Sequence, residues 1–467
     1  MTPKPWWTWI AVGGAALCVT AAIGATTRPR PAATPAPSSF TLIAPERFVV
    51  TRQVMPNGLT LLLHEDHSVP VVTFWQWFKV GSRNETPGHT GISHFFEHMM
   101  FNGSTNVAPK EYDRLIESNG GTSNAFTDRD MTAYYEDIAS DRLEVLFRLD
   151  SDRMRGLLLA PEQLKSELEV VREERRLRVE NDIDGMLDEA LYAKAFVASP
   201  YRWPVLGWPG DLDRIQRDEM VAYFRTHYAP NNCIMALCGD FDTRQALALI
   251  TRYFGDIPSQ PAPAAPADSE PEQREERRVA IRYPAENVSF EVGYKAPSAS
   301  SPDVWTLDLL EAILGDGESS RLHRALVYER QIALDATATF KSRLQPGLFE
   351  LDVEMKPGRT AAEGEAVLDS VLAQFMREGP TEREVEKARN LLQADLVRAL
   401  KTNNGAGEQL AFFEHVFGDY RRLFDAGERY RRVTAADCRR VAREVFVPER
   451  RTIAEIAPVA DTVASKP

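Results

Sequence analysis

Cysteine and histidine are both scarce in this chain of 467 residues, which contains four cysteines and eight histidines. Cys233 and Cys238 lie five residues apart in an apolar run that favours a strand. Because an odd spacing places two side chains on opposite faces of a strand, these two thiols should not bond to each other. We expect buried free thiols and no metal cluster made of cysteine.

An excess of basic charge is also absent, since 55 lysine and arginine residues are outnumbered by 68 aspartate and glutamate residues. The net charge of −13 argues against nucleic acid as a partner, because nucleic-acid-binding proteins normally present a basic face. Hydrophobic residues make up 43% and charged residues 26%, which is typical of a soluble globular protein. The length suits two domains of about 200 residues each.

The N-terminal segment differs in composition from the rest of the chain. Lys4 precedes an uncharged run from Trp6 to Ala25, which is the layout of a secretory signal peptide. An uncleaved membrane anchor is the alternative, because about 20 apolar residues also span a bilayer. Cys18 does not favour a lipoprotein signal, since the bulky Leu17 precedes it. We therefore expect an exported, periplasmic protein, anchored to a membrane only if this segment stays uncleaved.

Two stretches rich in proline and alanine divide the remaining chain. The predicted segments are a signal peptide at 1–25, a tether at 26–44, a first domain at 45–255, a linker at 256–277, a second domain at 278–458 and a tail at 459–467. Pro230 and Pro448, 218 positions apart, each follow a helix-like stretch and precede an apolar strand, which suggests two related domains. Asn57-Gly58 predicts a β-hairpin. We expect an α+β fold in which each domain is a largely antiparallel β-sheet flanked by α-helices.

The candidate chemistry begins with His94, Glu97 and His98, in a helix-like stretch for which Thr90 or Ser93 is the expected cap. Residues four apart lie on one face of a helix, so the two imidazoles can hold one metal ion. Glu97 projects beside the same ion. Zn²⁺ takes imidazole readily and keeps one position for water in catalytic sites, where a neighbouring carboxylate removes a proton from that water.

A third ligand has to come from elsewhere, and residues 161–182 are the best candidate. This stretch begins with proline and continues with strong helix formers. Glu167 and Glu174 are seven residues apart and share one helix face, so one can bind the metal while the other orients a ligand. The other glutamates of this helix fit a solvated face with arginine partners.

Around these residues the chain resembles the pitrilysin/insulinase family, the inverted zinc peptidases whose motif reverses His-Glu-x-x-His. The resemblance spans residues 45–458, and the matching segments occur in family order: Asn57-Gly58-Leu59, His94 to Asn102, Gly120 to Ala125, Thr132 to Tyr135, Val170 to Glu174, Pro200-Tyr201 and Gly207 to Leu212. In that family the third ligand is a glutamate about 76 residues past the second histidine, in a Glu-x6-Glu pair. The resemblance therefore implies one Zn²⁺ per chain held by His94, His98 and Glu174, with Glu97 as catalytic base and Glu167 orienting a ligand.

The resemblance also implies an assembly and a way of binding substrate. Family members of this length are similar to the catalytic subunit of the mitochondrial processing peptidase and its exported bacterial relatives. They resemble half of a pitrilysin and pair with a second chain to enclose a chamber. Asn124 and Ala125 would then lie on the strand edge that binds peptide substrates by strand addition.

One departure from the family concerns the second domain, which usually carries an Arg and, seven residues on, a Tyr that grip the substrate. Tyr328 and Asp335 stand at these two positions here. We expect a heterodimer in which a metal-free sister subunit supplies the Arg/Tyr pair, in preference to a homodimer. The alternative is that the Arg/Tyr pair is dispensable or lies at other positions of this chain.

These observations predict a zinc metalloendopeptidase that hydrolyses oligopeptides or unfolded polypeptides. A dedicated precursor-processing peptidase is one alternative, since the sequence does not separate it from general peptide turnover. A non-catalytic scaffold subunit of the same fold is the other. The complete motif argues against the scaffold, because a scaffold does not need His94, Glu97, His98 and Glu174 together.

Overall fold

The computed structural model describes residues 48–266 and 270–459. The predicted signal peptide, the tether and all but the first residue of the predicted tail lie outside the described residues. Within the described ranges, no helix combines the length and the apolar composition that a membrane crossing requires.

The first sheet has six strands, two of which form the predicted hairpin at its edge. They are β1 Thr51–Val54, β2 Thr60–Glu65, β3 Val71–Phe78, β4 Thr122–Thr127, β5 Thr132–Ala139 and β6 Cys233–Gly239, in the order β1-β2-β6-β3-β5-β4. The hairpin at Asn57-Gly58 is confirmed: β1 and β2 are antiparallel. Gly58 has a φ of +85°, a conformation that most other residues avoid.

The second sheet has five strands and repeats the same topology. They are β7 Arg277–Tyr283, β8 Ser289–Ala296, β9 Ala333–Phe340, β10 Gly347–Met355 and β11 Arg451–Pro458, in the order β7-β11-β8-β10-β9. The second sheet matches strands β2 to β6 of the first. In each sheet the strand that comes last in the sequence forms a parallel pair, β6 with β2 and β11 with β7. The other pairings are antiparallel. The expected α+β fold with two related, largely antiparallel domains is therefore confirmed.

Helices cover both sheets. In chain order they are α1 Ile92–Met99, α2 Glu111–Ser118, α3 Leu143–Gly156, α4 Pro161–Arg175, α5 Ile183–Ala195, α6 Pro209–Leu212, α7 Arg217–His227, α8 Thr243–Phe254, α9 Val304–Leu314, α10 Arg321–His323, α11 Ala361–Glu378, α12 Glu382–Ala399, α13 Asn403–Val416, α14 Arg422–Arg432 and α15 Ala435–Val445. Single π-helical turns follow α4 at Arg176–Glu180 and α10 at Arg324–Glu329.

The three cysteines in the described ranges are free and buried, as expected from the sequence. Cys233 packs in the core on one face of the first sheet, and Cys238 packs in the core on the other face. The odd spacing along β6 therefore separates the two thiols, because alternate side chains of a strand point to opposite faces.

Helix α13 belongs to the second half of the chain but packs on the first sheet, against β3 and β6. The indole Nε1 of Trp75 on β3 donates a hydrogen bond to the backbone oxygen of Asn404, at 3.0 Å. Gly407 allows the close approach, since a Cβ there would lie 2.6 Å from the Trp75 ring. Trp75 and Trp77 are buried in the core that this helix covers.

Conversely, helix α5 belongs to the first half of the chain but packs on the second sheet, against β7, β8 and β11. Leu191 of α5 is fully buried, and a Cβ at Gly293 of β8 would lie 3.0 Å from its side chain. The hydroxyl of Tyr192 donates a hydrogen bond to Glu350 of β10. The predicted linker at 256–277 lies between the segments that form the two sheets, except that Arg277 already begins β7, and each segment contributes a helix to the other sheet.

We predict that Leu191→Ala lowers the free energy of unfolding by about 2–5 kcal/mol, because it leaves a cavity between α5 and the second sheet. Chemical denaturation measures the change. Leu177→Ala is the matched control, because this leucine is 58% exposed and its loss should change stability by less than about 0.5 kcal/mol. Equal effects of the two substitutions would contradict the described packing of α5.

Candidate metal centre

Helix α1 carries three of the candidate residues, and its N-terminus is fixed by a buried carboxylate. Glu85 accepts hydrogen bonds from the backbone N–H groups of Gly91 and Ser93, each at 2.8 Å. The expected cap at Thr90 or Ser93 is therefore wrong: Gly91 occupies the cap position, and Thr90 instead donates its hydroxyl proton to Asp211 at 2.7 Å. Glu85 satisfies two of the N–H groups that a helix start leaves unpaired.

The two histidines of α1 and Glu174 of α4 converge. The Nε2 atom of His98 lies 2.9 Å from Oε2 of Glu174, and the Nε2 atom of His94 lies 3.5 Å from the same oxygen. The imidazole centroids are 4.8 Å apart, and all three side chains offer ligand atoms within 4.8 Å of one another. Residues 76 positions apart in the sequence thus form one cluster of two nitrogens and one oxygen.

Glu167 of α4 is half-buried and contacts the other ring nitrogen of His98. Its Oε1 atom is 2.8 Å from Nδ1 of His98, so the Nε2 atom of that ring is the one turned to Glu174. Asn102 donates its amide proton to Oε2 of Glu167 at 2.8 Å and contacts the backbone oxygen of His98 at 3.3 Å. A carboxylate on the far nitrogen of an imidazole fixes the orientation of that ring as a metal ligand.

Glu97 lies on the same helix as the two histidines and is half-buried. Burial raises the pKa of Glu97, while the nearby hydroxyl of Thr127 and the charge of His98 act in the opposite direction. A carboxyl group whose pKa is raised toward neutrality is suited to taking up and releasing a proton. Thr127 belongs to β4, so the candidate base lies beside that strand.

The hydrogen bond between His98 and Glu174 shifts the pKa values of both groups. Burial alone would lower the pKa of His98, but its hydrogen bonds to Glu167 and Glu174 raise it to about 9. Burial would raise the pKa of Glu174, but its hydrogen bond with His98 and the neighbouring charges lower it to about 2. Burial lowers the pKa of His94 to about 3, so this imidazole is neutral.

This set of donors fits a zinc ion. Two imidazole nitrogens and one carboxylate oxygen are a usual ligand set of catalytic zinc, which needs a fourth position for water. The ligand atoms of His94, His98 and Glu174 are already within reach of one ion, and Glu167 already fixes one ligand. The residues that would hold the metal are therefore His94, His98 and Glu174.

Asn124 and Ala125 lie on β4, which is an edge strand of the first sheet. They pair with Tyr135 and Tyr134 of β5, and the other side of β4 has no strand partner among the described residues. The free edge of β4 runs to Thr127, whose hydroxyl lies near the carboxyl group of Glu97.

The two residues at the aligned grip positions both lie in the second half of the chain. Tyr328 is on the π-helical turn after α10 and is 75% exposed. Asp335 is exposed on β9, an edge strand of the second sheet. Neither side chain belongs to the metal-ligand cluster in the described residues.

Two sequence profiles of one family match the chain. The profile described as Insulinase (Peptidase family M16) matches residues 60–207, and the profile described as Peptidase M16 inactive domain matches residues 214–392. The chain belongs to the insulinase family, peptidase family M16. The profile described as inactive begins after Glu174, so every residue of the metal centre lies in the range of the other profile.

Members of this family with similar sequences and structures are known. The zinc protease PqqE of Helicobacter pylori is 28% identical over 411 residues, which cover 86% of this chain and 92% of that protein. A crystal structure of a protease from Helicobacter pylori matches with a TM-score of 0.85 and 26% identity, covering 88% of this chain and 100% of that one. The periplasmic protease PqqL from Escherichia coli shares the fold, with a TM-score of 0.73 and 17% identity, covering 88% of this chain and 48% of PqqL.

Three residues that support the metal centre of this M16 chain were not predicted from the sequence. Glu85 caps α1, Asn102 holds Glu167, and Arg178 forms an ion pair with Glu174, with 2.7 Å between its Nε atom and Oε1. Asn102 and Arg178 each lie four residues after a ligand, and this one-turn spacing is the signal that would have identified them. The contact of Glu85 depends on a loop and has no such periodic signal.

We predict that Glu167→Ala weakens zinc binding about 10–100-fold, because His98 loses the carboxylate that orients its ring. Competition with a chromophoric chelator measures the dissociation constant. Glu169→Ala is the matched control on the same helix, since this glutamate is exposed and pairs with Arg172 instead. An unchanged zinc affinity in Glu167→Ala would contradict the assigned role.

Proposed function

We propose that this M16 chain is a zinc-dependent endopeptidase that hydrolyses oligopeptides or unfolded polypeptides. The convergence of the ligand atoms of His94, His98 and Glu174 within 4.8 Å, with the half-buried Glu97 on the same helix as the two histidines, is the observation that carries the proposal. The name of the related PqqE, a zinc protease, supports the same metal and reaction. Zinc binding and peptide hydrolysis both depend on polar side chains that a purely structural domain would have no reason to bring together.

Glu97 is placed to move the proton that peptide hydrolysis requires. A bound zinc ion would supply Lewis acidity that lowers the pKa of water and polarises a carbonyl group. Glu97 takes a proton from water as the water oxygen bonds to the carbonyl carbon and the π electron pair moves to the carbonyl oxygen. That pair re-forms the C=O bond as the C–N bond breaks, and the leaving nitrogen takes its electrons and the proton held by Glu97.

The free edge of β4 supports binding of the substrate as an added strand. Asn124 and Ala125 lie on this edge, and the strand continues toward Thr127 beside Glu97. Backbone hydrogen bonds to an edge strand bind peptides with little regard to their side chains. We therefore propose extended or unfolded peptides as the substrate class, with weak sequence preference.

Glu97→Gln is the direct test of the mechanism. The variant should bind zinc as tightly as the parent, because Glu97 is not one of the three ligands. Cleavage of a quenched fluorescent peptide should fall about 10²–10⁴-fold, since an amide cannot accept the proton from water. Zinc content by elemental analysis accompanies the kinetics. Full activity of Glu97→Gln would discredit this mechanism, and absence of activity in the parent together with any co-purified partner would favour a scaffold role.

We further propose that the protein is exported, works in the periplasm and acts as one subunit of a heterodimer. The periplasmic PqqL is matched over 48% of its length, so one chain of this size corresponds to about half of that protein. Tyr328 and Asp335 leave the second half without an arginine and a tyrosine at the aligned grip positions. A metal-free sister subunit of the same fold would supply that pair.

The pairing proposal predicts that the isolated chain cleaves peptides slowly and that a co-purifying sister chain restores the rate. Tyr328→Arg/Asp335→Tyr should raise kcat/KM of the isolated chain about tenfold, the gain expected from about 1.4 kcal/mol of added substrate binding. Both positions are exposed, so the fold should tolerate these changes. Leu334→Arg, on the same edge strand, is the control for added charge. A full rate from the isolated parent would refute the heterodimer.

A further inference from the structure

Arg178 lies beside the metal centre on the π-helical turn that follows α4. Its Nε atom is 2.7 Å from Oε1 of Glu174, while Oε2 of the same carboxylate faces the two imidazoles. The guanidinium group is thus separated from the ligand nitrogens by one carboxylate group. Single π-helical turns within helices are frequently found at functional sites.

The guanidinium of Arg178 keeps its donors available. The side chain is 66% exposed, its closest approach to Glu174 is through Nε, and no described residue accepts a hydrogen bond from its Nη atoms. Neighbouring arginines differ in this respect. Arg175 is buried and donates two hydrogen bonds to Glu189, and Arg176 donates to Glu173 at 2.9 Å. Arg178 therefore has free Nη donors at the edge of the metal centre.

The charge of Arg178 reaches the groups that perform the chemistry. The Nε atom of Arg178 is 2.7 Å from the carboxylate of Glu174, whose other oxygen contacts both imidazoles. A fixed cation in such a place stabilises negative charge that develops on a reacting oxygen.

We propose that Arg178 is a catalytic residue that donates hydrogen bonds from its Nη atoms to the carbonyl oxygen of the peptide bond being cut. This inference rests on the proposed peptidase function and adds a residue of the same chain to it. The carbonyl oxygen gains negative charge as water attacks, and a free guanidinium offers two donors and a full positive charge to that atom.

A different role would be that Arg178 only orients Glu174 as a ligand. The two roles differ in their effect on metal binding. A residue that orients a ligand changes the zinc affinity when it is removed. A residue that binds the carbonyl oxygen changes kcat/KM and leaves the zinc affinity nearly intact.

The test compares Arg178→Ala with Arg176→Ala, which removes an equally exposed arginine two residues away that pairs with Glu173. Zinc dissociation constants are measured by chelator competition, and kcat/KM is measured on a quenched fluorescent peptide with the zinc-loaded protein and any co-purified partner. Arg178→Ala should lower kcat/KM about 10²–10³-fold with a zinc affinity within threefold of the parent. Arg178→Lys should recover part of the loss, and Arg176→Ala should resemble the parent.

A second measurement does not depend on turnover. In the Glu97→Gln background, the affinity for the labelled peptide is measured by fluorescence anisotropy, with and without Arg178→Ala, and should fall when the guanidinium is removed. An unchanged kcat/KM in Arg178→Ala, or a loss of zinc affinity as large as its loss of kcat/KM, would overturn the assignment. A parent protein that neither binds nor cleaves peptide would refute the proposed function itself.

Discussion

The contact on which the site depends is the one between the carboxylate of Glu174 on α4 and the two imidazoles of α1. One oxygen lies 2.9 and 3.5 Å from the two Nε2 atoms, and the other lies 2.7 Å from Arg178. This carboxylate joins α4 to α1. The side chains of His94, His98 and Glu174 are largely removed from water, where polar groups need partners.

The support around the two imidazoles is unequal. His98 is held by Glu167, which is held in turn by Asn102. The Nδ1 atom of His94 is buried and has no hydrogen-bond partner among the described residues, so packing in α1 orients that ring. Fixing the helix itself is therefore important for His94. Glu85 does this at the N-terminus of α1, where burial raises its pKa to about 8 although two backbone N–H groups favour the charged form.

The two halves of the chain share a sheet topology but not a site. Only the first half carries the ligand set within the described residues, and only its edge strand β4 lies beside the base Glu97. The halves are nevertheless one folding unit, because α13 covers Trp75 on the first sheet and α5 covers Gly293 on the second. Helix α4, which carries Glu174, continues through its π-helical turn toward α5. Because α5 packs on the second sheet, it links the metal centre to that sheet.

The sequence by itself determined the residues that repeat at regular intervals. The spacing of His94 and His98, the seven-residue spacing of Glu167 and Glu174 and the hairpin at Gly58 follow from helix and turn geometry, which is local. The choice of Glu174 over Glu167 needed the family resemblance, because both share one helix face. The structure alone decided that Glu85 caps α1, that α5 packs on the second sheet and that α13 packs on the first. Those contacts join residues distant in the chain through loops and shape complementarity, and neither leaves a periodic pattern in the sequence.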